Sequence, residues 1–312
     1  MLFLPHTAIQ PNDTTSMVIM NYKGGRLANR IYLFGHFIAN AIEHQYALYN
    51  PEFDEYCPYF EATANNRFDN HRISIRIFKF HLADRIFSRL FRLWADITHR
   101  FFTTTPFYVL YRIFKTNDRH NVNFVLTDAA YLANAQTKTV ITEGWVFRDH
   151  ENFLKHSDDI RRYFTPVKQY RDEVAALMSS IRPVADMIVG VHIRRGDYTR
   201  YNNGNWYYND AVYAEKMLQV QAQINATGKS CAFLICSNET VDITSYPASL
   251  RLFTGNRHFM VDLYGLAACD AIIGPPSTYS QWASFYGKVP LSFIFSKEEV
   301  MQIKPYQHAE NP

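Results

Sequence analysis

From residue 187 onward, short apolar runs alternate with helical segments, and nearly every run ends in a polar cluster. The runs cover 187–193, 231–236, 271–274 and 291–295. Between them, 209–226, 262–268 and 279–286 carry helical character, and Asn209 stands where an N-cap belongs. Runs this continuously apolar suit strands buried on both faces, and strands alternating with helices build a parallel sheet. An open parallel sheet binds its ligands beyond the carboxyl ends of its strands. The fold class is therefore α/β, and the residues that follow each apolar run become the candidates for chemistry.

Three such ends stand out. The run Val189-Gly190-Val191 passes into His192-Ile193-Arg194-Arg195-Gly196-Asp197-Tyr198. Two adjacent guanidiniums at a strand end suit a diphosphate, because arginine is always charged and offers paired donors to phosphate oxygens. The second end is Ser237-Asn238-Glu239. The third is Gly274-Pro275-Pro276-Ser277-Thr278, where two prolines stiffen a turn and two hydroxyls stand at a helix start. A helix start with free amides and hydroxyls attracts anions, although capping alone also accounts for Ser277 and Thr278. Asp262, at another helix start, is either a plain cap or a carboxylate able to accept from the N1 and N2 edge of guanine. Asp197 is a candidate base, or a partner that orients one of the arginines. Glu143 and Asp210 are carboxylates without a decisive setting.

The first half opens with a strand at 17–20, a glycine turn at 23–26 and a helix at 27–45. No Gly-Lys-Ser/Thr follows at P-loop spacing. Residues 82–101 read as an amphipathic helix, with Phe87, Leu90, Phe91, Trp94, Ile97 and Phe101 on one side and Arg85, Arg89, Arg92 and Arg100 nearer the other. Charge is uneven: the chain carries +3 in all, but residues 67–120 carry +7 and the remainder −4. This helix is either an ordinary domain helix or one that lies on an anionic membrane. No nucleic-acid motif accompanies the basic segment, so nucleic acid is not expected as a partner.

At 312 residues the chain makes one large or two medium domains, with the boundary expected between 1–165 and 166–312. The four cysteines form no CxxC pair and no disulfide framework, which fits a reducing cytoplasm. No run is long enough to span a membrane, 1–5 is too short for a signal peptide, and 5–16 read as a loose leader. There is no Asp-x-Asp and no cluster with metal-ligand spacing, so no metal and no cofactor is expected.

Taken together, these motifs resemble the GDP-fucose-dependent fucosyltransferases, most closely the bacterial α-1,2-fucosyltransferases. His192 to Tyr198 resembles their signature, Ser277-Thr278-Tyr279-Ser280-Gln281-Trp282-Ala283 their carboxyl-terminal motif, and Gly25-Arg26-Leu27-Ala28-Asn29-Arg30 their glycine-containing amino-terminal motif, with Ala28-Asn29-Arg30 in place of Gly-Asn-Gln. The resemblance implies two Rossmann-like domains facing across a cleft in a GT-B-like fold, with an acceptor-side first domain and a second that holds most of the nucleotide. It implies GDP-β-L-fucose as donor, a glycan hydroxyl as acceptor, inversion at the anomeric carbon and an α-1,2 linkage, without an obligatory metal. Arg194 is then the chief diphosphate ligand, with Arg195 beside it and His192 near ribose or phosphate. Asn238, Ser277 and Thr278 line the donor site, Asp262 reads guanine, and Gly25, Arg26 and Asn29 reach the fucose or its phosphate from the facing domain. Related readings are another GDP-sugar donor, a protein acceptor, or a non-catalytic nucleotide- or glycan-binding module.

Overall fold

A computed structural model describes residues 16–64, 71–75, 108–113 and 123–307, together with isolated positions between 86 and 97. The leader expected over 5–16 lies outside the described residues except for Ser16, as does much of the helix expected over 82–101. The chain divides into two compact units: Met1–Gly25 with Leu33–Phe164, and Arg26–Tyr32 with Thr165–Pro312.

The first unit holds a five-stranded parallel sheet in the order β3-β2-β1-β6-β4. Its strands are β1 (Met17–Met20), β2 (Ala47–Tyr49), β3 (Ile73–Ser74), β4 (Tyr108–Arg112) and β6 (Thr139–Glu143); β5 (Phe124–Val125) and β7 (Phe147–Arg148) form a separate pair. The helix Leu27–His44 follows the glycine turn, as the periodicity predicts. Gly25 sits at φ 74°, a left-handed backbone that glycine tolerates without a Cβ penalty. Phe34, Phe53, Phe60, Tyr163 and Phe164 meet mostly edge to face at 5.3–5.9 Å, the offset geometry that aromatic quadrupoles prefer.

The second unit holds a second five-stranded parallel sheet in the order β10-β9-β8-β11-β12. Its strands are β8 (Met187–Ile193), β9 (Cys231–Ser237), β10 (Leu252–Thr254), β11 (Ala271–Gly274) and β12 (Leu291–Phe293). Alternation along β8 sends Val189, Val191 and Ile193 into a core shared with Tyr213, Met217 and Val220 of the helix Asp210–Ala226. Ile188, Gly190 and His192 point to the other face. There Gly190 lies so close to Leu266 of the helix Phe259–Ala267 that an added Cβ would come within 2.6 Å of its side chain. That helix begins earlier than the sequence suggests. Its N-cap is His258, whose Nδ1 accepts from the Met260 amide at 3.3 Å, so Asp262 is an interior residue and not the cap. The caps expected at Asn209 and Ser277 are present, accepting from Val212 and Tyr279.

Candidate functional site

In the second unit the chain runs from β8 through β9 to β10 on one side, then crosses to place β11 and β12 on the other. The strand order therefore reverses between β8 and β11, and open α/β sheets bind ligands beyond the carboxyl ends of the strands at such a topological switch point. Arg194 and Arg195 leave β8 there, and Pro275 to Thr278 leave β11. Asn238, just past β9, is their neighbour: its Oδ1 accepts from the Arg195 amide at 3.0 Å. Gly196 follows at φ 62°, where a side chain would be strained and its Cβ would lie 3.1 Å from Asn238 Nδ2. The turn that carries the arginines is thus held by a glycine that can adopt it and an amide that caps it.

The two arginines part company. Consecutive side chains on an extended backbone point to opposite faces, and the parity of β8 carries past its end. Arg194 follows His192. Its Nη2 donates to Asp197 Oδ2 at 2.9 Å, and its guanidinium carbon lies 5.4 Å from the centre of the Tyr198 ring. Arg195 follows Ile193 toward the helix Asp210–Ala226, where it is ion-paired with Asp210, which also accepts from the Tyr246 hydroxyl. Asp210 and Tyr246 thus enter the site as anchors of Arg195, a role that their distance along the chain hides in the sequence. Asp197 is ion-paired with Arg194, the contact that an orienting role requires. Tyr198 in turn donates from its hydroxyl to the Pro276 carbonyl at 2.6 Å, tying the β8 loop to the β11 loop.

Among the described residues of this unit, the buried polar atoms without a protein partner include Arg195 Nε and two others that bear on the site. One is His192 Nδ1, on a residue only 5% exposed. Burial, then the neighbouring Arg194 charge, lowers the His192 pKa to about 3, so the ring is neutral. It lies 5.1 Å, centre to centre, from the Tyr279 ring. The other atom is Asp262 Oδ1. Burial raises this carboxyl to about 7 against the opposing pull of Arg257. Gly255 stands beside that oxygen, and a Cβ there would come within 2.6 Å of it. Burying a polar atom without a hydrogen bond is costly, so each of these atoms is a candidate to meet a ligand, an ion or a water.

The amino-terminal motif reaches the same unit. Asn29 Oδ1 accepts from Thr278 Oγ1 at 2.6 Å, and the Tyr32 ring meets Trp282 edge-on at 5.5 Å. The motif residues Arg26 and Asn29 therefore stand with the carboxyl-terminal motif, within the second unit and not in the first where the sequence assigns them. Arg26 is exposed. Gly25 belongs to the first unit, at the end of the turn that follows β1. In that unit Glu143 ends β6, is buried, accepts from Asn21 at 2.5 Å and pairs with Arg112. Among the described residues no group of three His, Cys, Asp or Glu could hold a metal ion.

A family model described as glycosyl transferase family 11 matches residues 123–289, more than half of the chain. The chain belongs to glycosyl transferase family 11. It is a glycosyltransferase, as the motifs predict. Solved structures share its architecture at low identity. A variant of FUT1 from Arabidopsis thaliana in complex with GDP superposes with a TM-score of 0.58 at 13% identity, over 91% of this chain and 71% of that one. POFUT1 in complex with GDP-fucose gives 0.57 at 12% identity over 91% and 99% of the two chains. The fucosyltransferase NodZ from Bradyrhizobium gives 0.50 at 14% identity over 89% and 94%. Curated protein sequences yield no significant match. The structural likeness identifies the fold of this family 11 member as that of GT-B-like enzymes, with the parallel α/β sheets the sequence predicts.

Proposed function

We propose that this family 11 enzyme moves L-fucose from GDP-β-L-fucose to a hydroxyl of a glycan, with inversion and an α-1,2 linkage. The observation that carries the reading is Arg194, paired with Asp197 at the end of β8 and joined through the Tyr198–Pro276 bond to the loop that starts the helix Thr278–Gly287. A fixed guanidinium beside a helix start suits a diphosphate, and the buried His192 and Asp262 offer further polar atoms to a nucleotide. Proteins of like fold have been solved with GDP and with GDP-fucose, which supports the same donor here.

In this reading Arg194 and the amides at the start of the helix Thr278–Gly287 take the diphosphate. Negative charge grows on the β-phosphate as the fucosyl–oxygen bond breaks and an oxocarbenium-like centre forms. A guanidinium held by Asp197 and Tyr198 meets that charge without reorganising, so it favours the transition state over the ground state. His192, neutral and buried, offers one hydrogen bond to ribose or phosphate. Asp262 accepts from guanine. Arg195, tied to Asp210, shapes the turn. Asn29, Arg26 and Gly25 serve the fucose end. The charge is supplied by the protein's own cations and amides, so transfer is expected to persist in EDTA. The four cysteines are buried and free, which suits a reducing cytoplasm. The apolar and basic segment around residues 86–97 would hold the enzyme at an anionic membrane face.

The test is transfer from GDP-fucose to an acceptor panel, with the linkage read by NMR, in wild type and in Arg194 variants. Arg194→Ala is expected to keep the fold and lose about a hundred- to thousandfold in rate. Arg194→Lys stays poor, because a point charge cannot replace the fork. Turnover near that of wild type in Arg194→Ala, or preference for GDP-mannose, defeats the reading.

A further inference from the structure

The loop that carries Arg194 continues into an aromatic ladder whose outer rings, Tyr201 and Trp206, the donor site does not use. Tyr198, beneath the Arg194 guanidinium, stacks on Tyr201 with ring centres 5.2 Å apart and planes 29° apart. Tyr201 meets Trp206 at 5.8 Å and 45°. The ladder climbs from the interior to solvent: Tyr198 is 7% exposed and Tyr201 55%. Tyr207 beside it is also exposed. The chain is bent to present these rings. Asn202, Asn203 and Gly204 follow one another in left-handed backbone at φ 48°, 56° and 77°. Asparagine tolerates that region better than most residues but at a cost, and strain of this kind gathers at ligand-binding loops.

Isolated exposed tyrosines are ordinary, whereas a contiguous stacked set rooted on the diphosphate arginine is not. Its chemistry selects one class of occupant. Residues 196–209 hold four tyrosines, one tryptophan and four asparagines, with one Asp and one Arg that cancel. A neutral surface of ring faces and amides does not suit an anionic polymer, which needs cations. It suits a neutral pyranose, whose C–H face lies on an aromatic ring while its rim hydroxyls meet side-chain amides. Asn202, Asn203 and Asn205, between Tyr201 and Trp206 in the chain, are exposed.

We infer that Tyr201 and Trp206 form an acceptor subsite, a stacking platform for a neutral sugar ring of the acceptor glycan, with Asn202, Asn203 and Asn205 bonding its hydroxyls. The inference rests on the proposed glycosyl transfer and adds to it a place where the acceptor binds.

Two measurements test it: saturation-transfer NMR with methyl β-glycosides of galactose, glucose and N-acetylglucosamine and with lactose, and the KM for whichever of these is fucosylated. Sugar C–H protons of at least one probe should be saturated by wild type and not by the Tyr201→Ala/Trp206→Ala double variant. The acceptor KM should rise about tenfold or more in that variant, while the KM for GDP-fucose moves by less than about threefold. Tyr201→Phe and Trp206→Phe, which keep a ring, should remain close to wild type. The inference is overturned if no probe receives saturation, if the double variant keeps the signal, or if both KM values rise together. A wild type that never releases GDP from GDP-fucose defeats the transfer reading instead, and saturation transfer judges the platform even then.

Discussion

Burial acts on two titratable side chains of the second unit in the same sense, and the results differ because one is a base and the other an acid. Desolvation penalises charge, so His192 is neutral at every physiological pH and Asp262 holds its proton up to about pH 7. An acceptor for both guanine N–H groups must be ionised, so in the proposed role of Asp262 nucleotide binding would draw its proton off. The folded, unliganded protein holds this proton more tightly than the unfolded chain does, since the carboxyl rises from 3.8 to about 7. Its own fold therefore loses stability as pH climbs through that window, and bound GDP restores it. Calorimetry should detect proton release on GDP binding at about pH 6, and a GDP affinity that weakens as pH falls. Asp262→Asn should abolish both effects. Proton release equal to that of wild type in this variant would remove Asp262 from the nucleotide site. The sequence shows the arginine pair but not its division of labour, because Asp210, Tyr246 and Asn238 return to the loop from distant parts of the chain. Nor does it show that Asp262 lies inside its helix, since the cap is a histidine, which composition does not favour in that role.

At the level of elements, the sheet edge that forms the site depends on how tightly β11 can approach β8. Gly274 ends β11, and a Cβ there would lie 2.6 Å from the His192 carbonyl and 3.0 Å from the His192 Cβ. Backbone cannot give way as a flexible side chain can. Gly274→Ala should cost about 1–3 kcal/mol in denaturant unfolding and raise the GDP-fucose KM by displacing His192. Unchanged unfolding and KM would mean that the ends of β8 and β11 have room for a side chain and that Gly274 does not hold His192 in place. Four strands of the second unit were legible because each is a dense apolar run closed by polar residues, whereas β10, three half-exposed residues at its edge, was missed. Those of the first unit were less so. β2 is three residues long, and β6 mixes threonine and glutamate with its apolar residues. Pairing partners rather than composition decide such short strands. The left-handed turn at Asn202 to Gly204, and with it the ladder from Tyr198 to Trp206, had no periodic signal to betray it.

Over the whole molecule the net charge of +3 conceals a basic stretch of +7 at 67–120 set against −4 elsewhere. Within that stretch Ile86, Leu90, Leu93, Trp94 and Ile97 are helical and between 43% and 61% exposed. Their spacing puts them on one side of a helix, with Arg89 flanking. Among the described residues no helix is long and apolar enough to cross a membrane. An interfacial contact is the form of attachment that such a face supports. The full-length protein should sediment with vesicles of phosphatidylglycerol and phosphatidylethanolamine at low salt and leave them at about 1 M salt, where screening is short-ranged. Leu90→Glu with Ile97→Glu should stay in the supernatant. Equal recovery of wild type with and without vesicles would return the face to another purpose. The second unit has a further consequence for anyone dividing the gene. It draws in Arg26–Tyr32 from near the amino terminus, and with them the oxygen that Thr278 bonds and the ring that Trp282 meets. A fragment cut at Thr165 would carry an open seam along the helix Thr278–Gly287. Exchanging carboxyl-terminal halves between homologous enzymes should succeed only when those seven early residues travel with them.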